Sequence, residues 1–390
     1  MNERVVTDYN EISKVLADRS MRQALYDEGG VVMADVLLTL HGAEHHKRRV
    51  LEFSILRKDY FAWYEANVFP PALAQVFRTV GTDGHMDLVD FGYRVTMNLT
   101  ADFAGIDRPE KSAAETERLL RLVKIFSEGA TLVHSTRDKE QVRAEVRAGL
   151  EELRTTFHAP SVARRKEALA RGGDDLPRDI LTLLLRDQEK LGLSDDVILR
   201  EMAFFLQAGS HSTANSMIHA LHEVFLRWPD LDARRKLLDD PLFLQRCVHE
   251  SFRLHPASPV AWRLKEGECP VSGQRVVLDL AAANRQADLF GPTADVFDPD
   301  REYPKGIQPW GLTFGFGMHM CLGRDLDGGL VSGPDTNPAD HQYGIVTQLV
   351  RALMARDVRP DPARPAIQDT TTVRKNFSSY PVLLAPGASS

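Results

Sequence analysis

The ten residues Phe314–Gly323, which read FGFGMHMCLG, constrain this chain more than any other segment. Gly315 and Gly317 permit backbone angles that are closed to other residues, so the loop can bend sharply. Cys321 would lie near the start of a short helix, where unpaired amide groups favour a thiolate. Two interpretations follow. Either the thiolate ligates a haem iron and His319 meets a haem propionate, or Cys321 is a buried free cysteine that packs as a small apolar residue.

Composition excludes several classes of protein. The 390 residues carry 48 basic and 55 acidic side chains, a net charge of −7, which argues against a general nucleic-acid binder. Three cysteines are too few for a disulfide scaffold and suit a reducing compartment. The best apolar run, Met202 to Ala208, is far shorter than the roughly 18 residues that a membrane helix needs. We therefore expect a cytoplasmic protein that uses neither a membrane nor nucleic acid.

The spacing of apolar residues predicts a chain that is mainly helical over its first two thirds. From Pro256 onward, prolines, glycines and short alternating runs indicate strands and loops. Neither an internal repeat nor a flexible linker divides the sequence, which predicts a single domain over residues 1–390. The predicted helices are Asp8–Asp18, Glu115–Glu128, Lys139–Phe157, Asp179–Gln188, Ser194–Trp228 and Gly344–Asp357, and the clearest predicted strand is Arg275–Leu280.

The cysteine loop resembles the signature F-x-x-G-x-[HR]-x-C-x-G of the cytochrome P450 family. Phe314, Gly317, His319, Cys321 and Gly323 match every specified position with the spacing intact. The resemblance, to the soluble bacterial type, implies a mainly α fold with minor β: a large helical part and a small strand-rich part. It also implies haem b (iron protoporphyrin IX), held by the Cys321 thiolate as proximal ligand.

Other family landmarks occur in the expected order. Glu250 and Arg253 form E-x-x-R, and their separation of three places both on one face of a helix. An exposed pair of this kind contributes little to stability. The resemblance implies instead a buried triad with Arg301, which fixes the cysteine side of the fold. We expect no role for Glu302 or Tyr303.

Basic residues in two further segments resemble the groups that bind the haem propionates. His45 and Arg49 are four residues apart and share a helix face, and Arg263 follows Arg253 by ten residues. The haem contacts that the resemblance implies are made by His45, Arg49, Ala208, Arg263, Phe314, His319 and Gly323.

The long central helix departs from the family pattern [AG]-G-x-[DE]-[TS], in which an acid and an alcohol deliver protons during oxygen activation. Gly209 fits the small position, but His211 stands at the acid position and Ser212 or Thr213 at the alcohol position. A histidine can relay protons, since its reference pKa is about 6.5. Three hypotheses stay open for His211: a proton relay, recognition of the substrate, or a bystander role. The departure also leaves open a peroxygenase, a radical-coupling enzyme, or a haem sensor without turnover.

The resemblance implies a monooxygenase of secondary metabolism that inserts one atom of O2 into a small or medium hydrophobic substrate. Without a nicotinamide or flavin motif of its own, the chain would take electrons from NAD(P)H through a ferredoxin reductase and a ferredoxin. The basic residues Lys47, Arg48, Arg57 and Lys58 form a candidate docking cluster for an acidic ferredoxin. The predicted pocket residues are Phe204, Phe205, Ala208, Pro259, Val260 and Ala261.

Two segments depart from the family in length. The part that precedes residue 5 is much shorter than in the family, which normally begins with a helix and paired strands. After Leu326, the glycines and prolines of residues 327–342 interrupt a helix that the family continues directly. We expect this inserted loop to be exposed near the cysteine side.

Overall fold

The computed structural model describes residues 3–172, 176–265 and 273–385. Cys269 and the side chain of Lys58 lie outside the described part. The α-helices are α1 (Tyr9–Ala17), α2 (Gly30–Met33), α3 (Gly42–Phe53), α4 (Lys58–Asn67), α5 (Phe69–Phe77), α6 (Leu88–Ala104), α7 (Ala113–Ala130), α8 (Lys139–Leu153), α9 (Ala159–Arg171), α10 (Ile180–Arg186), α11 (Gln188–Leu191), α12 (Asp195–Arg227), α13 (Leu231–Leu237), α14 (Pro241–Leu254), α15 (Leu280–Ala283), α16 (Ala287–Phe290), α17 (Arg324–Asp327) and α18 (Ile345–Met354).

Short strands supply the rest of the regular structure. They are β1 (Glu3–Val6), β2 (Met21–Gln23), β3 (His85–Asp87), β4 (Val260–Lys265), β5 (Arg275–Asp279), β6 (Arg359–Pro360), β7 (Ile367–Gln368), β8 (Phe377–Ser379) and β9 (Pro381–Leu383). A four-stranded sheet has the order β1-β5-β4-β2, with β1 parallel to β5 and the other pairs antiparallel. A three-stranded sheet has the order β3-β9-β6, and β7 pairs with β8. The mainly helical architecture with minor strands is the predicted one.

Helix α12 is the long central helix of the fold. The Ser194 side chain caps it by accepting a hydrogen bond from the amide of Val197, and Asp195 and Asp196 lie near its positive end. Its middle is buried on several sides, because α6, α7, α14 and α18 all pack against it. Such a helix needs small residues wherever a neighbour or a ligand approaches closely. Its sequence supplies them between Ala208 and Ser216.

The inserted loop follows the predicted course. Helix α17 ends at Asp327 and α18 begins at Ile345, and most of the residues between 331 and 341 are exposed. The base of the loop is buried. There the Glu65 carboxylate accepts hydrogen bonds of 2.9 Å from the amides of both Tyr343 and Gly344. The middle of the loop is therefore exposed to solvent, while its C-terminal end is anchored by the carboxylate of Glu65.

The fully buried carboxylate of Glu250 holds the strand-rich part to the helical part. Arg253 donates to it at 2.6 and 2.7 Å, and Arg301 donates at 3.1 Å. The amide of Asp298 and the hydroxyl of Tyr303 also donate to it, at 3.2 and 3.1 Å. The expectation that Tyr303 has no role is therefore wrong. Its hydroxyl fills one of the acceptor sites that a buried carboxylate must not leave empty.

Arg48 does not belong to a surface cluster. It is 4% exposed and lies between the fully buried carboxylates of Glu52 and Glu201, to both of which it donates. Glu201 also accepts from the amide of Leu37 at 3.1 Å, so the network joins α3 and α12 to the segment before α3. The basic docking cluster predicted from the sequence consequently loses one member. Lys47 is exposed and Arg57 pairs with Asp59 at 3.2 Å.

We predict that Glu250→Gln lowers the free energy of unfolding by about 3–5 kcal/mol, because two buried guanidinium groups lose their counter-charge. Urea unfolding followed by circular dichroism at matched haem loading measures the change. Glu117→Gln is the control. It breaks an exposed ion pair with Arg94 and should cost less than about 1 kcal/mol. Equal losses in the two variants would contradict the structural role of Glu250.

Candidate active site

A cavity of about 370 Å³ lies between the middle of α12 and the cysteine loop. Its wall is mostly apolar, with polar groups concentrated at one end and along α12. Residues from α3, α6, α12, β4 and the cysteine loop contribute to it. The lining residues that the argument uses are Tyr26, Leu37, Leu38, His45, Arg49, Phe204, Phe205, Ala208, Gly209, Ser212, Thr213, Ser216, Ala257, Ser258, Ala261, Arg263, Phe314, His319, Cys321, Gly323 and Asp327.

The cysteine loop is a tight turn that its glycines make possible. Gly315 and Gly317 have φ angles of +69° and +68°, in the left-handed region. The amide of Cys321 donates to the carbonyl of Phe314 at 2.8 Å and closes the loop. A side chain on Gly317 would collide with the carbonyl oxygen of Leu16, at the end of α1. The loop thus depends on glycine both for its backbone angle and for its close approach to α1.

The side chain of Cys321 faces the cavity. Burial, followed by the nearby carboxyl group of Asp327, raises the pKa of its thiol to about 11, while the amide of Gly323 acts in the opposite direction. From the sequence we expect the start of a helix to stabilise the thiolate of Cys321. Helix α17 has only four residues and begins at Arg324, so this stabilisation is smaller than the opposing effect of burial and Asp327 on the pKa. A bound metal cation would deprotonate the thiol outright.

A cluster of basic groups forms one end of the cavity. Arg49 donates to the carbonyl of Met320 at 2.7 Å, and Arg263 donates to Gln23 at 2.9 Å. The rings of His45 and His319 lie 4.5 Å apart. Burial lowers the pKa of His45 to about 4 and that of His319 to about 2, and neighbouring cations add to both shifts.

These groups fit the cofactor that the sequence implies. Nε2 of His45 and both ring nitrogens of His319 are buried and have no hydrogen-bond partner. Buried polar atoms of this kind normally have partners, and the carboxylates of a haem would supply them. Two arginines line the same end of the cavity, and the thiol of Cys321 is a soft ligand for iron. The chain therefore offers both an axial ligand and a set of carboxylate-binding donors.

The face of α12 toward the cavity carries small and hydroxyl residues. Ser212 donates to the carbonyl of Ala208 at 2.7 Å, and Thr213 donates to the carboxylate of Asp327 at 2.7 Å. Burial raises the pKa of Asp327 to about 6. Sequence analysis places Asp327 only at the start of the inserted loop. No local pattern signals that its carboxyl group faces the cavity and bonds a helix 114 residues away.

His211 does not line this cavity. Its Nδ1 lies 2.5 Å from the hydroxyl of Tyr93, on an adjacent face of α12, where it borders a second cavity. Burial, with Arg374 and His134 as further causes, lowers the pKa of His211 well below its usual range. Direct contact of His211 with a substrate over the haem is thus incompatible with the structure. The helical rotation of about 100° per residue separates it from Ser212.

The structure brings most of the predicted pocket residues to one cavity. Phe204, Phe205, Ala208 and Ala261 line it, whereas Pro259 and Val260 do not. Side chains alternate along β4, so Val260 and Ala261 must face opposite sides. Ala257 and Ser258, before the strand, line the cavity instead.

Comparison with known proteins agrees with this geometry. The family model "Cytochrome P450" matches residues 140–326. Over these residues the sequence is similar to the cytochrome P450 family. The sterol 14alpha-demethylase of Mycolicibacterium vanbaalenii is 24% identical over 381 residues, which cover 85% of the chain and 80% of that enzyme. The vitamin D(3) 25-hydroxylase of Pseudonocardia autotrophica is 32% identical over 151 residues.

The second alignment covers 37% of the chain and 35% of the hydroxylase. The chain likewise matches only about a third of the length of several other curated relatives, including the probable cytochrome P450 313a5 of Drosophila melanogaster at 33%. Solved structures match along almost the whole chain. CalO2 superposes with a TM-score of 0.71 at 20% identity, over 98% of this chain and 91% of CalO2.

CxnD, described as an enzyme for C–S bond formation in chuangxinmycin biosynthesis, gives a TM-score of 0.73 at 19% identity, over 98% of this chain and 89% of CxnD. The predicted P450 fold is confirmed. Within the described residues, no helix combines the length and the apolar character needed to cross a membrane.

We predict that Gly317→Ala impairs haem loading and lowers stability by about 1–3 kcal/mol, because the residue has a positive φ and its new methyl group would meet the Leu16 carbonyl. The haem-to-protein ratio and the urea midpoint measure both effects. Gly333→Ala in the inserted loop is the control, since its methyl group would enter open space. Normal haem loading in Gly317→Ala would contradict the requirement for glycine.

Proposed function

We propose that this chain is a haem-thiolate monooxygenase that holds haem b through Cys321 and oxidises a small or medium hydrophobic molecule with O2. The observation that carries the proposal is that one cavity brings together the thiol of Cys321 and the ring nitrogens of His45 and His319 that have no hydrogen-bond partner among the described residues. When bound, the haem supplies oxygen activation, because electron donation by a thiolate favours cleavage of the O–O bond.

The apolar wall supports a hydrophobic substrate. Phe204 and Phe205 come from α12, Leu37 and Leu38 from the segment before α3, and Ala261 from β4. These side chains offer apolar contact and exclude water, which favours hydroxylation or a related oxidation of a C–H bond. Cavities that are mainly apolar with a few placed polar groups are typical of small-molecule sites.

The two candidate proton-relay residues, Ser212 and His211, lie on different faces of α12. Ser212 lines the cavity and both donates and accepts hydrogen bonds, so we assign it the alcohol role. His211 borders the second cavity and bonds Tyr93, so a relay through it would draw protons from that side of the helix. The bystander role is the second candidate, favoured by the tight bond between His211 and Tyr93.

Electrons would come from separate redox proteins, and we propose a ferredoxin with its NAD(P)H-dependent reductase, in the cytoplasm. The relatives matched here are P450s, a family that requires a source of reducing equivalents unless peroxide is used. Peroxygenation and radical coupling are the alternatives, favoured by the histidine at the acid position. Product formation with O2 and reductant, compared with peroxide, distinguishes them, and no turnover in either condition would indicate a haem sensor.

Replacing the proposed ligand tests the assignment directly. We expect the reduced protein with carbon monoxide to show the far-red-displaced Soret band of thiolate ligation, and Cys321→Ala to lose that band. Cys247→Ala is the matched control, because Cys247 is buried in the core away from the cavity. Retention of the band in Cys321→Ala would refute the proposal.

We predict that Ser212→Ala releases more peroxide per electron and forms about 10²–10⁴-fold less product, because a positioned proton donor is lost. Oxygen and peroxide electrodes with a supplied reductase measure the partition. Ser216→Ala, one turn along the same cavity wall, is the control. Unchanged coupling in Ser212→Ala would remove Ser212 from the relay. An unchanged peroxide yield in His211→Gln would assign His211 the bystander role.

A further inference from the structure

A second cavity, of about 310 Å³, borders α12 on the face next to the one that lines the first cavity. Residues of α6, α7, α12 and the segment from Asp369 to Ser378 enclose it, and its wall is rich in polar groups. The segment is fixed in place by backbone bonds. The amide of Val373 donates to the carbonyl of His134 at 2.9 Å, and the amide of Thr136 donates to the carbonyl of Thr371 at 3.0 Å.

Among the described residues, no carboxylate lies within ion-pair distance of the Arg374 guanidinium group, and the charge of Asp369 acts on it only from farther away. Arg374 donates to the hydroxyl groups of Thr131 at 3.1 Å and Thr372 at 3.4 Å, both of which are neutral. Among the described residues, none of the recorded ion pairs includes Arg374. Asp369, on the same wall, instead accepts from the amide and the hydroxyl of Thr371 at 2.8 and 2.6 Å.

Lys124 is a second cation on this wall. Its ammonium group lies 5.4 Å from the centre of the Tyr93 ring, and no carboxylate of the described residues forms a recorded ion pair with it. The nearby acid, Glu128, is already engaged, because Arg137 donates to it at 2.7 Å and Ser135 donates to it at 2.7 Å. Both acids of the wall therefore have hydrogen-bond partners, and neither cation forms a close ion pair with a carboxylate of the described residues.

Burial makes this imbalance costly. It lowers the pKa of Arg374, and Arg374 in turn is a cause of the lowered pKa of His211. A positive charge that is partly withdrawn from water without an anion loses hydration free energy that neutral hydroxyl groups replace only in part. The amides of Asn215 and Asn376 and the hydroxyl of Ser127 supply further donors on the same wall.

We propose that the second cavity is a binding site for a small oxyanion, a carboxylate or a phosphate, held by Arg374 and Lys124. A guanidinium group presents a planar pair of donors that matches such an anion. The site would contact α12 through His211 and Asn215, which lie on the face adjacent to that of Ser212. Its occupant is either a free anion or the anionic end of a larger molecule.

The proposal is tested by titrating the haem-loaded protein with inorganic phosphate and with acetate at constant ionic strength set by sodium chloride. We expect a saturable rise in melting temperature, since a ligand of the folded state stabilises it in proportion to its occupancy. Arg374→Gln should weaken the apparent affinity about tenfold or more, because a hydrogen bond to a charged group is lost. Lys124→Gln, at the exposed rim, should weaken it less.

Arg364→Gln is the matched control, since Arg364 lies in the same C-terminal part but pairs with Asp361 outside this cavity. The proposal is overturned if chloride at equal ionic strength gives the same rise, or if Arg374→Gln retains the affinity of the unaltered protein. If Arg374→Gln fails to fold, an unchanged affinity in Lys124→Gln overturns the two-cation site.

The Soret band distinguishes the two sources of the anion. A free anion raises the melting temperature and leaves the Soret band unchanged, whereas fatty carboxylates that also reach the haem cavity shift the band more than alcohols of the same length. The shift of the Soret band rests on the proposed haem function, whereas the rise in melting temperature does not. An anion-dependent rise in melting temperature would therefore support this site even if the protein showed no monooxygenase activity.

Discussion

A single buried carboxylate, that of Glu250, determines how the cysteine loop is supported. It neutralises two guanidinium groups, and Arg253 uses its remaining donors on the carbonyls of Asn284 and Ala294 at 2.6 and 2.7 Å. The Asn284 side chain in turn accepts from the amide of Leu312, close before the loop. Such a network is stable because its buried donors and acceptors are satisfied, and removing any member leaves a charge without a partner.

Helix α12 separates two environments that have opposite chemical character. On one side small residues and two phenylalanines border an apolar cavity that ends at the thiol of Cys321. On an adjacent face, His211 and Asn215 border a polar cavity whose two cations form no close ion pair with a carboxylate of the described residues. A helix can present both because it turns by about 100° per residue, so that His211 and Ser212 border different cavities. The proposed oxidation and the proposed anion site are thus neighbours through one element.

The candidate haem site contains cationic side chains whose charges the neighbouring described residues do not balance. Burial raises the pKa of Cys321 and lowers that of the two histidines, so in the absence of a bound group the thiol, His45 and His319 are neutral near pH 7. Arg49 and Arg263 remain cationic in the same cavity. A metal ion at the thiol and carboxylates at the arginines would reverse these conditions, which explains why the thiol and the arginines line one cavity.

The sequence by itself determined the main elements and singled out the proposed metal ligand. The spacing within FGFGMHMCLG identifies Cys321, and apolar periodicity locates α12 and α18 to within a few residues, because both are properties of a local stretch of chain. Only the tertiary structure decided which way side chains face and which charges are buried. The burial of Arg48, the contact of Asp327 with α12 and the turning of His211 toward Tyr93 all join residues more than 100 positions apart. Packing between distant elements sets such contacts, and local sequence carries no record of it.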